Sequence, residues 1–400
     1  MQLFIYEIRD GNIRLSGIVN EFENFRYVAR YDEMGEFELV ASVRLTAGVV
    51  KAERLLWPQG HDEAYVIETL TVNDTDKGLT LKAQGRTASC LWARRVMTDV
   101  VRLTGTHGAV INALFNAVTS KPYRAFPHWI NGVDISLGEY ITYMTDTGAI
   151  IDLVGMVAKD AALGYKTVFD PRALKLTFRI YAGIDRTSPA GKNVVFDPEF
   201  ENLSDAEYTD SVQDYANVIY ATGANDQDSG VPFRWTGYKP PNPGSSQNDI
   251  TGYDRYEGIA TFDTSQTQDG RATAQTFDTW VDSSGGYVST MGDNPTPISN
   301  ISYNHSMGAF ASKELAARKR KNMITGQINT NSVLYRQRLD WDIGDIVTVS
   351  DRRINLINRE RIKEIETSFD AGVQTTRITV GDWMPTLSEK IKRGKTNGRR

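Results

Sequence analysis

The strongest constraint on this chain is a repeated two-residue alternation, cut into short runs by turn residues. "GEFELVAS" places Phe37, Leu39 and Ala41 on one side of an extended segment and Glu36, Glu38 and Val40 on the other. Side chains alternate across a strand, so this pattern belongs to a half-buried β-strand and not to a helix. "LFIYEI" and "IRLSGIV" flank Asp10-Gly11, a tight hairpin signal. "AYVIETLTV" and "GLTLKAQG" alternate on either side of "NDTDK". A helical reading of Arg86–Met97 closes this part, so residues 1–100 are expected to form a small curled sheet or barrel.

The period then changes. Thr106 is a candidate N-cap for a helix reaching Ser120, and the run from Tyr140 to Gly164 reads as more helix with Gly164 as its C-cap. "YKTVFDPRALKLTFRIYAG" reads as a hairpin turning at Asp170-Pro171. Residues 101–190 are therefore expected to be α/β. Residues 191–385 return to strands, interrupted at about 222–300 by a stretch rich in Gly, Pro, Ser and Asn. Ten acids face four bases there, a net charge of −6, and the stretch reads as a loop-rich β insertion. "SKELAARKRKNMIT" (Ser312–Thr325) reads as a helix capped by Ser312. Residues 386–400 carry six bases and one acid, a solvated or partner-binding tail.

Composition limits the function. Net charge is −5 over 400 residues, which disfavours a dedicated nucleic-acid binder. One cysteine, Cys90, permits neither an internal disulfide nor a thiolate metal site. The N-terminus does not read as a signal peptide, and the greasy run Gly148–Gly164 is broken by Asp152 and Lys159, so no membrane span is expected.

No motif demands catalysis. "LDWDIGDIVTVSD" gathers Asp340, Asp342, Asp345 and Asp351; alternation with Leu339, Trp341 and Ile343 makes the first two the polar face of a strand and Gly344-Asp345 a turn. His61, His107, His128 and His305 have no zincin spacing, and His107 and His128 read as structural. "GIDRTSPAGKN" is too widely spaced for a P-loop, with Asn193 where Ser or Thr is needed. "DTDKG" and "NDQDSG" lack the acid that completes a calcium loop. The bases of "ARKRKNM" suit a solvated or subunit-facing helix surface better than a phosphate site. No catalytic, cofactor or metal residue is assigned. Aromatics of the insertion (Phe233, Trp235, Tyr238, Tyr253, Tyr256, Phe277 and Trp280) are the candidate contacts. Phe233, Trp235, Tyr238 and Trp280 stand out for stacking on sugar rings or anchoring a partner, against a simpler reading as the insertion's own core.

Several stretches together resemble the tail hub, or baseplate hub, proteins of siphophages. "YDEMGEFELVA" resembles that family's early strand, and Tyr65–Met97 its strand–turn–strand and closing helix. Leu153–Thr187, with "VVFDPEFENL" and "YANVIYATG" after it, resembles its middle helix and hairpin, and Asp340–Asp351 with Ile362–Trp383 its final strands. The resemblance implies a mixed β-rich α+β chain with two small tube-type β-barrel domains, an intervening α/β domain and the insertion. It implies a non-enzymatic homotrimer, a pseudo-sixfold ring at the virion tail tip, assembled in the host cytoplasm. Its partners would be the distal tail protein, tape-measure protein, a central fibre or spike and receptor-binding proteins. DNA would pass through its lumen without specific binding. The alternative is a tail-associated glycan-binding or wall-hydrolysing protein acting through the insertion. In the hub reading the open strand edges are expected to make the trimer contacts.

Overall fold

The computed structural model describes residues 1–381 except 10, 47, 76–77, 99–100, 146, 189–192, 226–231, 240–241, 243, 263–272, 275–276, 282–286, 292–295, 298–299, 330–333 and 371. Seven strands come first: β1 (Leu3–Arg9), β2 (Asn12–Val19), β3 (Asn24–Arg30), β4 (Glu36–Ser42), β5 (Leu55–Pro58), β6 (Tyr65–Thr75) and β7 (Gly78–Thr87), with the single turn α1 (Val43–Thr46) after β4. A mixed stretch follows: β8 (Val96–Met97), β9 (Val101–Thr106), α2 (His107–Thr119), β10 (Trp129–Asn131), β11 (Tyr140–Met144), β12 (Gly148–Ala149), α3 (Ile150–Asp160), β13 (Gly164–Asp170) and β14 (Lys175–Tyr181). Then come β15 (Val195–Phe196), β16 (Leu203–Ser211), β17 (Val218–Asn225), β18 (Pro232–Tyr238) and β19 (Glu257–Thr261). Four short strands, β20 (Thr273–Ala274), β21 (Phe277–Val281), β22 (Tyr287–Met291) and β23 (Thr296–Pro297), precede α4 (Asn300–Ala317). The chain closes with β24 (Lys321–Ile328), β25 (Ile346–Asp351), β26 (Leu356–Asp370) and β27 (Val373–Gly381).

The chain divides into two compact units. The first contains Met1–Glu207, Thr279–Ser289 and Ile324–Trp383; the second contains Tyr208–Asp278 and Thr290–Met323. In the first, one sheet of 13 strands runs in the order β16-β24-β27-β26-β3-β4-β7-β6-β5-β1-β2, with β25 on β26 and β15 on β25. β26 pairs antiparallel with β3 from Asp370↔Asn24 to Glu364↔Arg30, so the first and last strands of the chain share one sheet. Among the described strands the order ends at β2 and at β16 and no pairing closes it into a barrel. The reason is the β3–β26 seam: it joins the strands expected in two separate barrels.

Local readings held where large apolar residues alternate. β4 buries Phe37, Leu39 and Ala41 and turns Glu36, Glu38 and Val40 outward. The β1–β2 hairpin pairs Arg9 with Asn12 and Gly11 takes φ +72°, which a side chain would resist. β13 and β14 pair from Gly164↔Tyr181 to Asp170↔Lys175, and the Asp170 carboxylate accepts the N–H groups of Arg172 (2.8 Å) and Ala173 (3.0 Å) to hold the turn. Thr106 caps α2, its hydroxyl accepting the Ala109 N–H at 3.1 Å.

Three local readings failed and one held in part. Arg86–Met97 is helical over Ala88–Arg94, as a 3-10 helix and not an α-helix, and ends in β8. Tyr140–Met144 is a strand paired with β9, and α3 starts only at Ile150. Gly164 is the first residue of β13; the left-handed residue after α3 is Ala162, at φ +52°. Ser312 lies inside α4, its hydroxyl donating to Gly308 O at 3.0 Å, and the chain is already β24 by Lys321.

The first unit's cores are built of large side chains. Trp92, Phe115, Phe178 and the apolar faces of α2 and α3 form one. Leu3, Ile5, Phe25, Phe37 and Leu39 form another beneath the sheet. Phe196, Trp341, Val347, Ile362 and Ile378 form a third. The second unit packs α4 on the sheet β18-β17-β19 through Ala216, Ile219, Ala221, Ala260, Met307 and Ala311.

Candidate functional site

The acids of Leu339–Asp351 do not converge. The segment to Ile343 is two turns and not a strand: Gln337 and Trp341 form an isolated bridge, Leu339 is 65% exposed, Trp341 is buried, and Asp340 is buried instead of lying on a polar face. Each carboxylate holds local structure. Asp340 accepts the Arg336 N–H at 2.7 Å. Asp342 accepts the Ile343 N–H at 2.8 Å, and burial pushes its carboxyl up. Asp345 accepts the Ile184 N–H (2.8 Å), the Asp342 N–H (3.1 Å) and the Arg186 guanidinium (3.1 Å). Asp351 accepts the backbone N–H of Arg353 (3.0 Å) and its guanidinium, which holds the carboxyl below its usual range. A metal site needs several carboxylates aimed at one point. No group of three or more His, Cys, Asp or Glu arranged for a metal exists among the described residues.

The insertion aromatics do not form one surface. Trp235 and Tyr238 are three residues apart on β18, an odd spacing that sends them to opposite faces. Trp235, 41% exposed, lies against Gly308 of α4; a Cβ there would stand 2.9 Å from the indole. Tyr238 is on the other face, its hydroxyl donating to Ser245 O at 3.4 Å. Tyr256 packs edge-on against Tyr215 at 5.0 Å, and Tyr253 is fully exposed. Phe233 is on β18, and Phe277 and Trp280 are on β21, but their side chains lie outside the described residues. Among the bases of "ARKRKNM", Arg318 donates to Ile259 O and Arg320 pairs with Asp210. Residues 226–230 of the calcium-like loop, residues 189–192 of the P-loop-like stretch and the basic tail lie outside the described residues.

His107 is structural as expected, and His128 contributes its backbone to a turn. His107 is buried, with Nε2 3.7 Å from Asp160, and His128 sits at φ +60° with its carbonyl accepting the Leu176 N–H at 2.9 Å.

The features that do converge lie along the β3–β26 seam. Alternation puts Arg26 and Arg30 of β3, Glu36 and Glu38 of β4, Glu364 and Glu366 of β26, and Lys82, Gln84 and Arg86 of β7 on the outward face. Arg26 clamps Glu366 through two hydrogen bonds of 2.8 and 2.9 Å, holding that carboxyl below its usual range. Arg30 reaches Glu364 (2.9 Å) and Glu36 (3.1 Å). Lys82 meets Glu38 at 3.0 Å, and Arg86 holds Glu68 of β6 at 2.8 and 2.7 Å. Gly85 floors a shallow cavity of about 310 Å³ between these pairs. The signs alternate strand by strand, so the surface is highly charged yet locally neutral. Such a face orders cross-strand neighbours and offers little net field to an anion.

Behind the seam, Tyr31 ties three sequence regions together. The ring is fully buried. Its hydroxyl lies 3.0 Å from Ala162 O and 3.2 Å from Tyr181 O, and accepts the Gly183 N–H at 3.3 Å. Gly164 and Gly344 press on the ring so closely that a Cβ on either would fall within 2.4 Å of a ring carbon. The Arg361 guanidinium sits over the ring, 4.8 Å from its centroid, a cation–π contact. The sequence reading touched this knot only in pieces: Tyr31 as the first residue of "YDEMGEFELVA", Gly164 as a helix C-cap and Gly344 as a turn.

The fold is similar to that of several tail proteins. Similar solved structures include the prophage tail protein gp18 of Listeria monocytogenes EGD-e (TM-score 0.54, 12% identity, 100% of both chains). They also include the tail protein of Neisseria meningitidis MC58 (TM-score 0.53, 11% identity, 95% of this chain and 96% of the other). A third is the prophage MuSo2 43 kDa tail protein of Shewanella oneidensis (TM-score 0.53, 13% identity, 95% and 98%). No curated protein matches the chain in sequence. The chain belongs to the siphovirus ReqiPepy6 Gp37-like protein family, whose model matches residues 5–382.

Proposed function

We propose that this protein is a structural subunit of a siphovirus tail, acting as the hub of the tail tip or baseplate and not as an enzyme. The observation that carries the reading is the single open sheet. It joins strands from residues 3–87 to strands from residues 346–381, and among the described strands its main path stops at β2 and β16, with a side branch ending at β15. An unpaired edge presents free N–H and C=O groups, and a closed homo-oligomer covers them. In this reading the strands on either side of the β3–β26 seam are the two tube-type halves of one protomer. Residues 101–190 are the α/β part, 222–300 the peripheral insertion and 386–400 the basic tail. Three protomers close into a pseudo-sixfold ring between the distal tail and a central fibre, spike or receptor-binding part, and DNA and tape-measure protein pass through. Family membership and the tail-protein fold support a tail role. The glycan-binding alternative draws no support from Trp235 and Tyr238, which face opposite ways.

Native mass by light scattering, with negative-stain images of the same sample, tests the proposal. A ring of three chains with a central hole is expected, at the least when the distal tail protein is added. A monomer that stays monomeric with every tail partner overturns it.

A further inference from the structure

One polar contact in the first unit joins residues 277 positions apart and is used by nothing described above. His61, in the loop after β5, is a three-way node. Its carbonyl accepts the Trp57 indole N–H at 2.7 Å. Its ring stands edge-on to Tyr27 of β3, with centroids 4.7 Å apart and planes at 87°, and Nε2 lies 3.4 Å from the Tyr27 hydroxyl. Its Nδ1 lies 3.3 Å from the Arg338 guanidinium, whose other nitrogen donates to Gly60 O.

A guanidinium has only donors. The imidazole must therefore be neutral, with its lone pair on Nδ1 toward Arg338 and its proton on Nε2 toward Tyr27. Arg338 itself stands at φ +67°, a conformation that side chains resist and that neighbouring contacts must hold. It sits at the tip of a small turn, where its N–H donates to Trp341 O (2.7 Å) and the Asp340 N–H donates to Arg336 O (2.8 Å). The other charged groups around this node are Asp62, paired with Lys166 of β13 at 2.7 Å, and the half-buried Asp342. Asp62 favours a charged imidazole through space, but burial and Arg338 outweigh it, and no hydrogen bond ties either carboxylate to the ring among the described residues.

We propose that the turn 336–341 is an acid-opened latch, held shut by neutral His61 and released when His61 gains a proton facing the Arg338 guanidinium. Protonation replaces a hydrogen bond with two like charges at hydrogen-bond distance. The imidazolium is satisfied only if Arg338 leaves, and the turn leaves with it. Burial, reinforced by Arg338, depresses the His61 pKa to about 4, so the latch stays closed at neutral pH. The closed form resists protonation and the open form does not, so acid favours opening.

The test is hydrogen–deuterium exchange of the full chain at pH 7 and pH 4, read as protection of the 336–342 amides after correction for intrinsic rates. Protection in the wild-type protein is expected to fall at least about tenfold at pH 4, against a linkage ceiling of about a hundredfold. His61→Asn keeps an acceptor for Arg338 and keeps Asp340, and is expected to show no such fall. Arg338→Gln is expected to leave the turn poorly protected at both pH values. Equal wild-type protection at the two pH values overturns the latch, as does an undiminished fall in His61→Asn. Wild-type protection of the turn in Arg338→Gln overturns it independently, even if the His61 variant does not fold.

Discussion

Gly164 and Gly308 each lie under an aromatic ring, and the two places are built differently. Gly164, in the first unit, supports Tyr31, a fully buried ring pinned by backbone groups from three sequence regions. Gly308, in the second, supports Trp235, a ring 41% exposed and resting on one helix. The first site has no room to yield; the second opens to solvent. Among the described residues the contrast extends to the cores: large rings and branched aliphatics fill those of the first unit, while four alanines, Ile219 and Met307, flanked by Phe262, Phe310 and Leu315, form that of the second. The first unit is built to hold one geometry, while the second needs only to stay folded.

Adding a single methyl group to each glycine exposes that difference most directly. Gly164→Ala is expected to destabilise the first unit by about 3 kcal/mol, the high end of overpacking costs, seen as a lower urea midpoint. An unchanged midpoint would mean that Tyr31 can move, and the comparison would fail.

A second probe uses a buried carboxyl of the first unit. Burial raises the Glu63 carboxyl to about 7, although its Oε1 accepts the Thr167 N–H at 3.3 Å. The folded protein then binds this proton more tightly than the unfolded chain. Stability from this group is present below the ordinary glutamate range and is lost as pH rises toward 7. Glu63→Gln is expected to remove that loss, gaining about 2 kcal/mol at pH 8 and little at pH 4. Urea titrations at the two pH values check it; an equal gain at both would point to something other than protonation.

The seam face should show smaller effects. A double-mutant cycle on Arg26 and Glu366, both about a third exposed, is expected to give a coupling of about 1 kcal/mol that shrinks in high salt. A coupling that ignores salt would count against an electrostatic role. Smallest of all, Gly308→Ala should range from neutral to about 1 kcal/mol stabilising, because the helix gains what the displaced Trp235 loses. A loss comparable to that of Gly164→Ala would erase the distinction between the two rings.

Which parts of this were legible follows from what local pattern can carry. The alternation of Phe37, Leu39 and Ala41, the Asp10-Gly11 and Asp170-Pro171 turns and the Thr106 cap are written in adjacent residues, and the structure follows them. Trp235 and Tyr238 were grouped as candidate contacts, and only their placement on one strand, three residues apart, separates their faces. Ser312 misled because a helix-compatible serine can bond back to the preceding turn as well as cap. The Asp340–Ile343 run alternates like a strand but is too tightly tied by Asp340 and Asp345 to extend. The β3–β26 pairing has no local signal, so two barrels were expected where one sheet runs through. Tyr31 and His61 belong to the same class: their partners are brought to them by the fold.

That pairing also sets a schedule for synthesis. Arg26 and its partner Glu366 are 340 residues apart. At ordinary translation rates, β3 waits roughly 20–70 s for β26 to be made. Through that interval the edge of β3 is uncovered, and a chain cut short never covers it. The completed sheet thus certifies that synthesis has passed β26, a record carried in backbone hydrogen bonds. A ribosome that stalls late leaves a product with a raw strand edge, a substrate for chaperones and proteases and a poor fit for any assembly that reads the finished surface.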